Sequence, residues 1–247
     1  MPAYESEAII LLTYKLGEAD RLVSFFSRNQ GRMRGVARGA RRTKSKFGST
    51  LERLSYVRIW YFEKETLDLV RISQCELIES FMDVFGDYES GVALSMMCEI
   101  SEIVLPEREA LDAPFRLMLV TARQIKETRK PEVPLAYFCL WTAKLAGWLP
   151  RMDVCVNCGR SLTGGPGYLA PLAEGVTCAQ CRVGSGRQVP WALLLLGRDM
   201  QGEKLEQLMA RNVPALAVRE LTGILLDWIE FHAEKRLVSR KVWEQRL

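Results

Sequence analysis

The chain has 247 residues, 48% of them hydrophobic and 26% charged, which describes a folded, water-soluble protein large enough for one big domain or two to three small ones. Its longest apolar runs, around residues 8–12 and 191–196, are far shorter than the roughly 18 residues a bilayer span needs. The first residues lack the basic start of a signal peptide, so a cytoplasmic protein is expected.

The net charge is +4, with 34 Lys and Arg against 30 Asp and Glu. Residues 1–80 hold 14 basic and 10 acidic residues, and residues 81–247 hold 20 of each, so the excess lies in the first third. It is concentrated between positions 28 and 46, where Arg28, Arg32, Arg34, Arg38, Arg41, Arg42, Lys44 and Lys46 occur without an acid. Such a field attracts polyanions.

Residues 7–78 read as short strands joined by turns. Residues 7–13 are apolar and strand-like, Gly17-Glu-Ala-Asp20 is a turn, and residues 21–28 form a second run with Phe25 and Phe26. From Gly31, Arg32, Arg34 and Arg38 alternate with Met33, Gly35 and Ala37, which puts the arginines on one face of a strand. Gly35 and Gly39 suggest a bend or bulge, as barrel corners require. Over residues 56–62, Val57, Ile59 and Tyr61 point one way and Arg58, Trp60 and Phe62 the other. Residues 67–72 read as the hairpin partner, across a turn at 63–66. About five short strands in some 75 residues suit a small closed barrel.

From about Ser80 the period becomes helical. Ala93, Met96, Met97, Ile100, Ile103 and Val104 share one face, and Pro106 ends that helix. Phe115, Met118, Ala122 and Ile125 mark a second helix. Residues 135–148 are apolar nearly all round, which predicts a buried central helix stopped by Gly147 and Pro150. Residues 151–187 are loop-rich. Helical patterning resumes at Trp191 and ends in a long helix from about Pro214, with Leu221, Leu225, Trp228 and His232 on one face.

In the loop-rich segment, Cys155-Val-Asn-Cys158 and Cys178-Ala-Gln-Cys181 are separated by nineteen residues. This spacing supplies four sulfurs to one tetrahedral zinc and leaves no open position, so the expected ion is single and structural. Two disulfides or four free thiols are the alternatives, and a reducing compartment disfavours the first. Cys75, Cys98 and Cys139 lie in apolar runs and read as core residues.

Catalysis finds little support. The single histidine, His232, leaves Cys–His and Ser–His arrangements one possible base. Gly39-Ala-Arg-Arg-Thr-Lys44-Ser45 has Thr43 where a phosphate-binding P-loop needs Gly before its Lys, which excludes that motif. Binding of nucleic acid is better founded. Eight basic residues within nineteen attract phosphates, and Arg58 and Trp60, with Phe62, place aromatics beside arginine, as stacking on unpaired bases requires. The competing reading is that the aromatics pack against a neighbouring domain and the basic run is solvated. On the helix over 115–130, Arg116, Arg123 and Lys130, with Lys126, flank the apolar stripe. They form either an ordinary solvated face or a groove for an acidic, hydrophobic peptide.

Along nearly its whole length the chain resembles the bacterial RecO family of recombination mediators. The likeness rests on Ala8-Ile-Ile-Leu-Leu12, Gly17-Glu-Ala-Asp-Arg-Leu-Val23, Gly31-Arg-Met-Arg-Gly-Val-Ala-Arg-Gly-Ala-Arg-Arg42 and the two cysteine pairs. The resemblance implies an α+β multidomain protein. Residues 1–79 would form an OB-fold DNA-binding barrel. Residues 80–247 would form a helical domain with an inserted four-cysteine zinc knuckle at 151–187. It implies a non-enzymatic activity: binding single- and double-stranded DNA and annealing complementary strands. The partners it implies are RecR and the acidic tail of single-stranded-DNA-binding protein, with RecA loading as the indirect result, in the nucleoid and without a membrane. DNA contact carries over best to Arg32, Arg34, Arg38, Arg41 and Arg42. A zinc-containing RNA-binding or transcriptional regulator is the alternative, and an assembly scaffold using its basic face a third.

Overall fold

The computed structural model describes residues 2–63, 68–149, 151–169, 175–184 and 186–245. Most of the turn expected at 63–66, Leu67 at the start of its partner strand, and the helix stop at Pro150 lie outside them. The chain is α+β and divides into two compact units, Met1–Pro131 with Lys235–Leu247, and Glu132–Glu234.

Five strands in the first unit close into a barrel: β1 (Ala3–Leu16), β2 (Asp20–Ser27), β3 (Gly31–Ala37), β4 (Tyr56–Phe62) and β5 (Val70–Glu79), in the order β1-β2-β3-β5-β4, with β4 pairing back onto β1. Two-residue alternation sorts the side chains. Met33 and Ala37 of β3, and Val57, Ile59 and Tyr61 of β4, enter the barrel core with Ile10, Phe25, Val70 and Ile72. Arg34 and Arg58 face outward and are exposed. The closing joint is the parallel pairing of β3 with β5, from Gly35↔Val70 to Ala37↔Ile72. A Cβ on Gly35 would stand 2.8 Å from Val70 Cγ2 and 2.9 Å from Ile72 Cγ1, so this close approach needs glycine.

Between β3 and β4 the chain runs through successive turns that lower Phe47 and Leu51, each 1% exposed, into the barrel core. Burying either side chain stabilises by about 1.5–3 kcal/mol, which anchors a segment otherwise rich in charge. The Thr13 hydroxyl donates to the Leu51 carbonyl (2.8 Å), and the Leu54 N–H donates to the Ile10 carbonyl (2.7 Å).

Two helices cover part of the outer barrel surface. In α1 (Tyr88–Val104), Ala93, Met96, Met97 and Ile100 are fully buried, and in α2 (Asp112–Thr128) Phe115, Met118, Ala122 and Ile125 are. The Phe115 ring meets Phe26 of β2 edge-on, with centroids 5.4 Å apart, so β2 is buried on both faces. After α1 the chain pairs with β3: Arg32 bridges Glu107, and the Arg108 N–H donates to the Arg32 carbonyl at 3.1 Å. Gly31 sits under this segment with φ +73°, where a Cβ would lie 2.0 Å from the Glu109 carbonyl oxygen.

In the second unit, α3 (Glu132–Leu145) and α6 (Ala215–Ala233) pack together, with α4 (Trp191–Gly202) and α5 (Leu205–Ala210) beside α3. α3 is buried nearly all round, as its unbroken hydrophobicity predicts. Along α6, Leu221 and Leu225 are buried, Trp228 is half-buried and His232 is exposed. The loop-rich insert also contains a small sheet, β7-β6-β8, from β6 (Gly167–Leu169), β7 (Val176–Thr177) and β8 (Arg187–Val189). A last helix, α7 (Val238–Glu244), returns to the first unit, where the Glu99 carboxylate of α1 accepts the N–H groups of Val238 (2.7 Å) and Ser239 (2.9 Å).

Candidate nucleic-acid interface and candidate metal centre

The basic run splits into two chemically different halves. Arg38, Arg41, Arg42, Lys44 and Lys46 follow β3, and all five are exposed. The plug of Phe47 and Leu51 fixes one side of this segment, and the turn over residues 17–20 fixes the other. The Gly39 N–H donates to the Asp20 carboxylate (2.8 Å), the Arg41 N–H to the Ala19 carbonyl (2.9 Å), and Arg41 Nη1 to the Gly17 carbonyl (2.8 Å). Arg42 and Ser45 continue the turns through their own N–H groups. Among the described residues no carboxylate pairs with Arg38, Arg42, Lys44 or Lys46, and Lys46 Nζ lies 5.4 Å from the Phe47 ring centroid. The segment is therefore an ordered cationic surface on the barrel.

Arg32 and Arg34 are held differently. The Arg32 side chain is only 11% exposed; it pairs with Glu102 (3.3 Å) and Glu107 (3.0 Å) and donates to the Leu105 carbonyl (3.0 Å). Arg34 is half exposed and shares both acids at 3.5 and 3.8 Å. Ser24 also donates to Glu102, at 2.5 Å. Of the expected common face of Arg32, Arg34 and Arg38, only Arg32 and Arg34 share the outer side of β3, since Arg38 lies in the turn that follows the strand, and Arg32 fastens the barrel to α1 and its following segment. Arg58 and Trp60 share the outer face of β4 as expected, yet both engage Glu5 of β1. Arg58 Nε lies 3.5 Å from one carboxylate oxygen, and Trp60 Nε1 donates to the other at 3.0 Å.

The groove expected on α2 is not formed. Its apolar stripe is buried in the first unit's own core. Arg116 pairs with Asp112 (2.9 Å), and Arg123 with Glu79 (2.8 Å), beside Lys126. Lys130 lies beyond the helix, past the left-handed Arg129 cap, and is exposed.

The four cysteines of the insert come together. Their Sγ atoms all lie within 4.8 Å of one another, and Cys158 Sγ is 3.9 Å from Cys178 Sγ. A disulfide needs about 2.0 Å, whereas sulfurs bound at about 2.3 Å to one tetrahedral ion lie about 3.8 Å apart. The donor set therefore fits a metal ion held by four thiolates. Gly159 takes φ +71° at the end of the first knuckle, and its N–H donates to the Cys155 carbonyl (2.8 Å). Burial disfavours the Cys155 thiolate, but N–H groups of Cys178, Cys158 and Asn157 outweigh it and bring the thiol down to about 6. Cys181 is pushed up to about 12 by its hydrogen bonds with Cys158 and Cys178. Cys75 and Cys98 are likewise pushed up to about 12, by burial alone in the main, as inert core thiols should be.

The turn over residues 17–20 carries a role that its sequence signal, a plain turn, does not announce: Asp20 secures the cationic segment. The plug residues Phe47 and Leu51 are similarly hidden inside a run that reads as solvated. Among the described residues no helix is long and apolar enough to cross a membrane.

The family profile described as Recombination protein O N terminal matches residues 1–81, and Recombination protein O C terminal matches residues 86–241. A DNA repair protein RecO from Koribacter versatilis is 35% identical over 235 residues, covering 95% of this chain and 96% of the relative. A DNA repair protein RecO from Bifidobacterium adolescentis is 33% identical, covering 98% and 99%, and one from a Nocardioides species is 34% identical, covering 96% and 97%. The chain belongs to the RecO family of DNA repair and recombination proteins.

Proposed function

We propose that this chain is a non-enzymatic, cytoplasmic recombination mediator that binds DNA through its barrel, residues 1–79, read as an OB-fold. The strand order β1-β2-β3-β5-β4 with a parallel β3–β5 joint supports that reading of the barrel. The observation that carries the proposal is the ordered segment of Arg38, Arg41, Arg42, Lys44 and Lys46, which no described acid neutralises. It would capture DNA backbone by counterion release. Arg34 is a secondary contact, and Arg58 and Trp60 become available only when Glu5 gives them up. Holding two strands beside one cationic surface screens their repulsion and raises their local concentration, which favours annealing without covalent chemistry.

The remaining residues, 80–247, would serve partners. RecR and the acidic tail of single-stranded-DNA-binding protein are the candidates, with recombinase loading as the consequence. The insert, 151–187, is assigned one structural zinc on Cys155, Cys158, Cys178 and Cys181. When bound, the ion ties together two loops that few apolar residues would otherwise hold.

The decisive experiment is a fluorescence-anisotropy titration of labelled single- and double-stranded DNA with the triple variant R38E/R41E/R42E at low salt. Binding should be lost while the circular dichroism spectrum is kept. Unchanged affinity would sink the assignment, and a strong preference for RNA of equal length would favour the regulator reading.

A further inference from the structure

The barrel's pairing registers align five outward side chains in one band. Tyr14 of β1 stands opposite Leu22 of β2, Leu22 opposite Val36 of β3, Val36 opposite Arg71 of β5, and Arg71 opposite Phe62 of β4. Leu22, Val36, Arg71 and Phe62 point away from the core, because their chain neighbours Val23, Ala37, Val70, Ile72 and Tyr61 fill the interior, and Tyr14, paired with Leu22, lies on the same side of the sheet. Tyr14 is 53% exposed, Arg71 is exposed, and Leu22, Val36 and Phe62 are half-buried. One turn of side chains toward one end of β3, Arg34 and Ser24 are occupied by Glu102, and beyond them Phe26 is covered by Phe115. On β4, Trp60 is occupied by Glu5. In the other direction along β3 the band adjoins Arg38, the first residue of the cationic segment.

We propose that this band is a stacking track for unpaired bases of single-stranded DNA, with Tyr14 and Phe62 as its aromatic platforms and Arg71 as its phosphate contact. The inference rests on the DNA-binding reading and deepens it. Three features select the occupant. Adjacent strands are about 4.8 Å apart, so the four steps from Tyr14 to Phe62 cover about 19 Å of curved surface, room for several nucleotides. Aromatic and aliphatic side chains flanking an arginine suit base faces threaded beside a phosphate chain. No described carboxylate pairs with Arg71, so the track's charge complements a polyanion, and it is continuous with the basic segment at Arg38. A duplex keeps its bases stacked inside and could use only the basic segment. The track therefore gives the barrel a means of preferring separated strands.

The test uses the full chain, an oligothymidylate of about 16 nucleotides and a duplex of the same length. Y14A, F62L and R71Q are titrated against each. Every aromatic variant should lose at least about fivefold in single-strand affinity and leave duplex affinity unchanged. R71Q should lower the slope of log affinity on log salt by about 0.7 on the single strand. An oligonucleotide carrying 5-bromodeoxyuridine should photocrosslink to Tyr14 or Phe62, a readout that does not depend on how well a variant folds. If wild type binds and R38E/R41E/R42E does not, yet all three band variants bind the oligothymidylate normally and no crosslink maps to the band, the track is wrong and the basic segment stands. Equal losses on single strand and duplex would also overturn it. If wild type binds neither ligand, the DNA-binding reading itself fails.

Discussion

The Asp20 carboxylate accepts a hydrogen bond from the backbone N–H of Gly39 at 2.8 Å, and this contact sets where the cationic segment leaves the barrel. Gly39 has φ +70°, a conformation that glycine adopts without steric cost. The bond fixes a tight turn directly after β3, and Ala19 and Gly17 then take the next donors from Arg41.

Replacing Asp20 with Ala should therefore loosen the presentation of Arg38, Arg41 and Arg42 more than it harms the fold. The expected loss of stability is about 1 kcal/mol, the net worth of one hydrogen bond. DNA affinity should fall severalfold, because an unfixed segment must be ordered on binding. The partner substitution G39A, strained at its positive φ, should have the same phenotype. A Glu18→Ala change at the same turn should behave as wild type apart from a slight gain in affinity from the lost acid. Thermal melting and anisotropy titration of the three variants separate these outcomes, and undiminished affinity in D20A would refute the positioning role.

Arg32 and Arg38 lie six residues apart in one motif and should respond in opposite ways. Removing the Arg32 guanidinium leaves Glu102, with a side chain 15% exposed, without its main counter-charge. Arg34 at 3.5 Å and the Ser24 hydroxyl remain as its partners, so the cost is about 1–3 kcal/mol, that of one charged hydrogen bond lost from a largely buried carboxylate. R32M should consequently melt early in a denaturant titration, yet bind DNA normally under conditions where it is folded. R38E should melt like wild type and bind poorly. A stable R32M that fails to bind DNA would reassign Arg32 to the interface.

These two arginines also show what the sequence can and cannot convey. Strict alternation over residues 31–37 and 56–62 locates β3 and β4 and sorts inward from outward side chains, because the pleat has a period of two. The helical stripes of α1, α2 and α6 are legible for the same reason at a period of 3.6. Alternation cannot say which outward arginine meets an acid seventy residues away, as Arg32 meets Glu102. It equally hides the return of Phe47 and Leu51 into the barrel, since their surroundings are polar and turn-rich. The strands of the insert are two or three residues long, too short for any period to register. The cysteine spacing is legible because each CxxC pair is local, and backbone contacts such as the Val156 N–H donating to the Val176 carbonyl (3.0 Å) bring the two pairs together. The period changes near Ser80, whereas the compact units divide at Pro131, because α1 and α2 share the barrel's unit.

The join between β1 and α2 should be sensitive to acid. Arg28 donates to Glu7 (2.9 Å) and to Asp112 (3.0 Å) at the start of α2. The hydrogen bond from Arg28 is the main reason the Glu7 carboxyl lies below its ordinary value of 4.5, with burial opposing it. A depressed carboxyl contributes stability above its unfolded value and loses that contribution as pH falls through the folded one. Both side chains are about a third or more exposed, so screening limits the effect to less than about 1 kcal/mol. E7Q should be less stable than wild type at pH 7, and the gap should close steadily below pH 4.5. Urea titrations at pH 7 and pH 3 measure it, and a gap of equal size at both would show that Glu7 acts through packing and not charge.

The insert should depend on a metal ion that the barrel does not need. Protein purified under reducing conditions is expected to contain one zinc per chain by elemental analysis. With the ion in place, a thiol reagent should find few reactive cysteines, because Cys75, Cys98 and Cys139 are buried and the other four are ligands. A strong chelator should release the ion and expose four thiols. The double variant C158S/C181S should lose the metal, and proteolysis should then cleave within residues 151–187. DNA binding by the barrel should persist in that variant, since the cationic segment and the cysteines belong to different compact units. Absence of zinc, with four thiols titratable in the protein as purified, would remove the metal from this chain. Loss of DNA binding together with the metal would instead make the insert part of the interface.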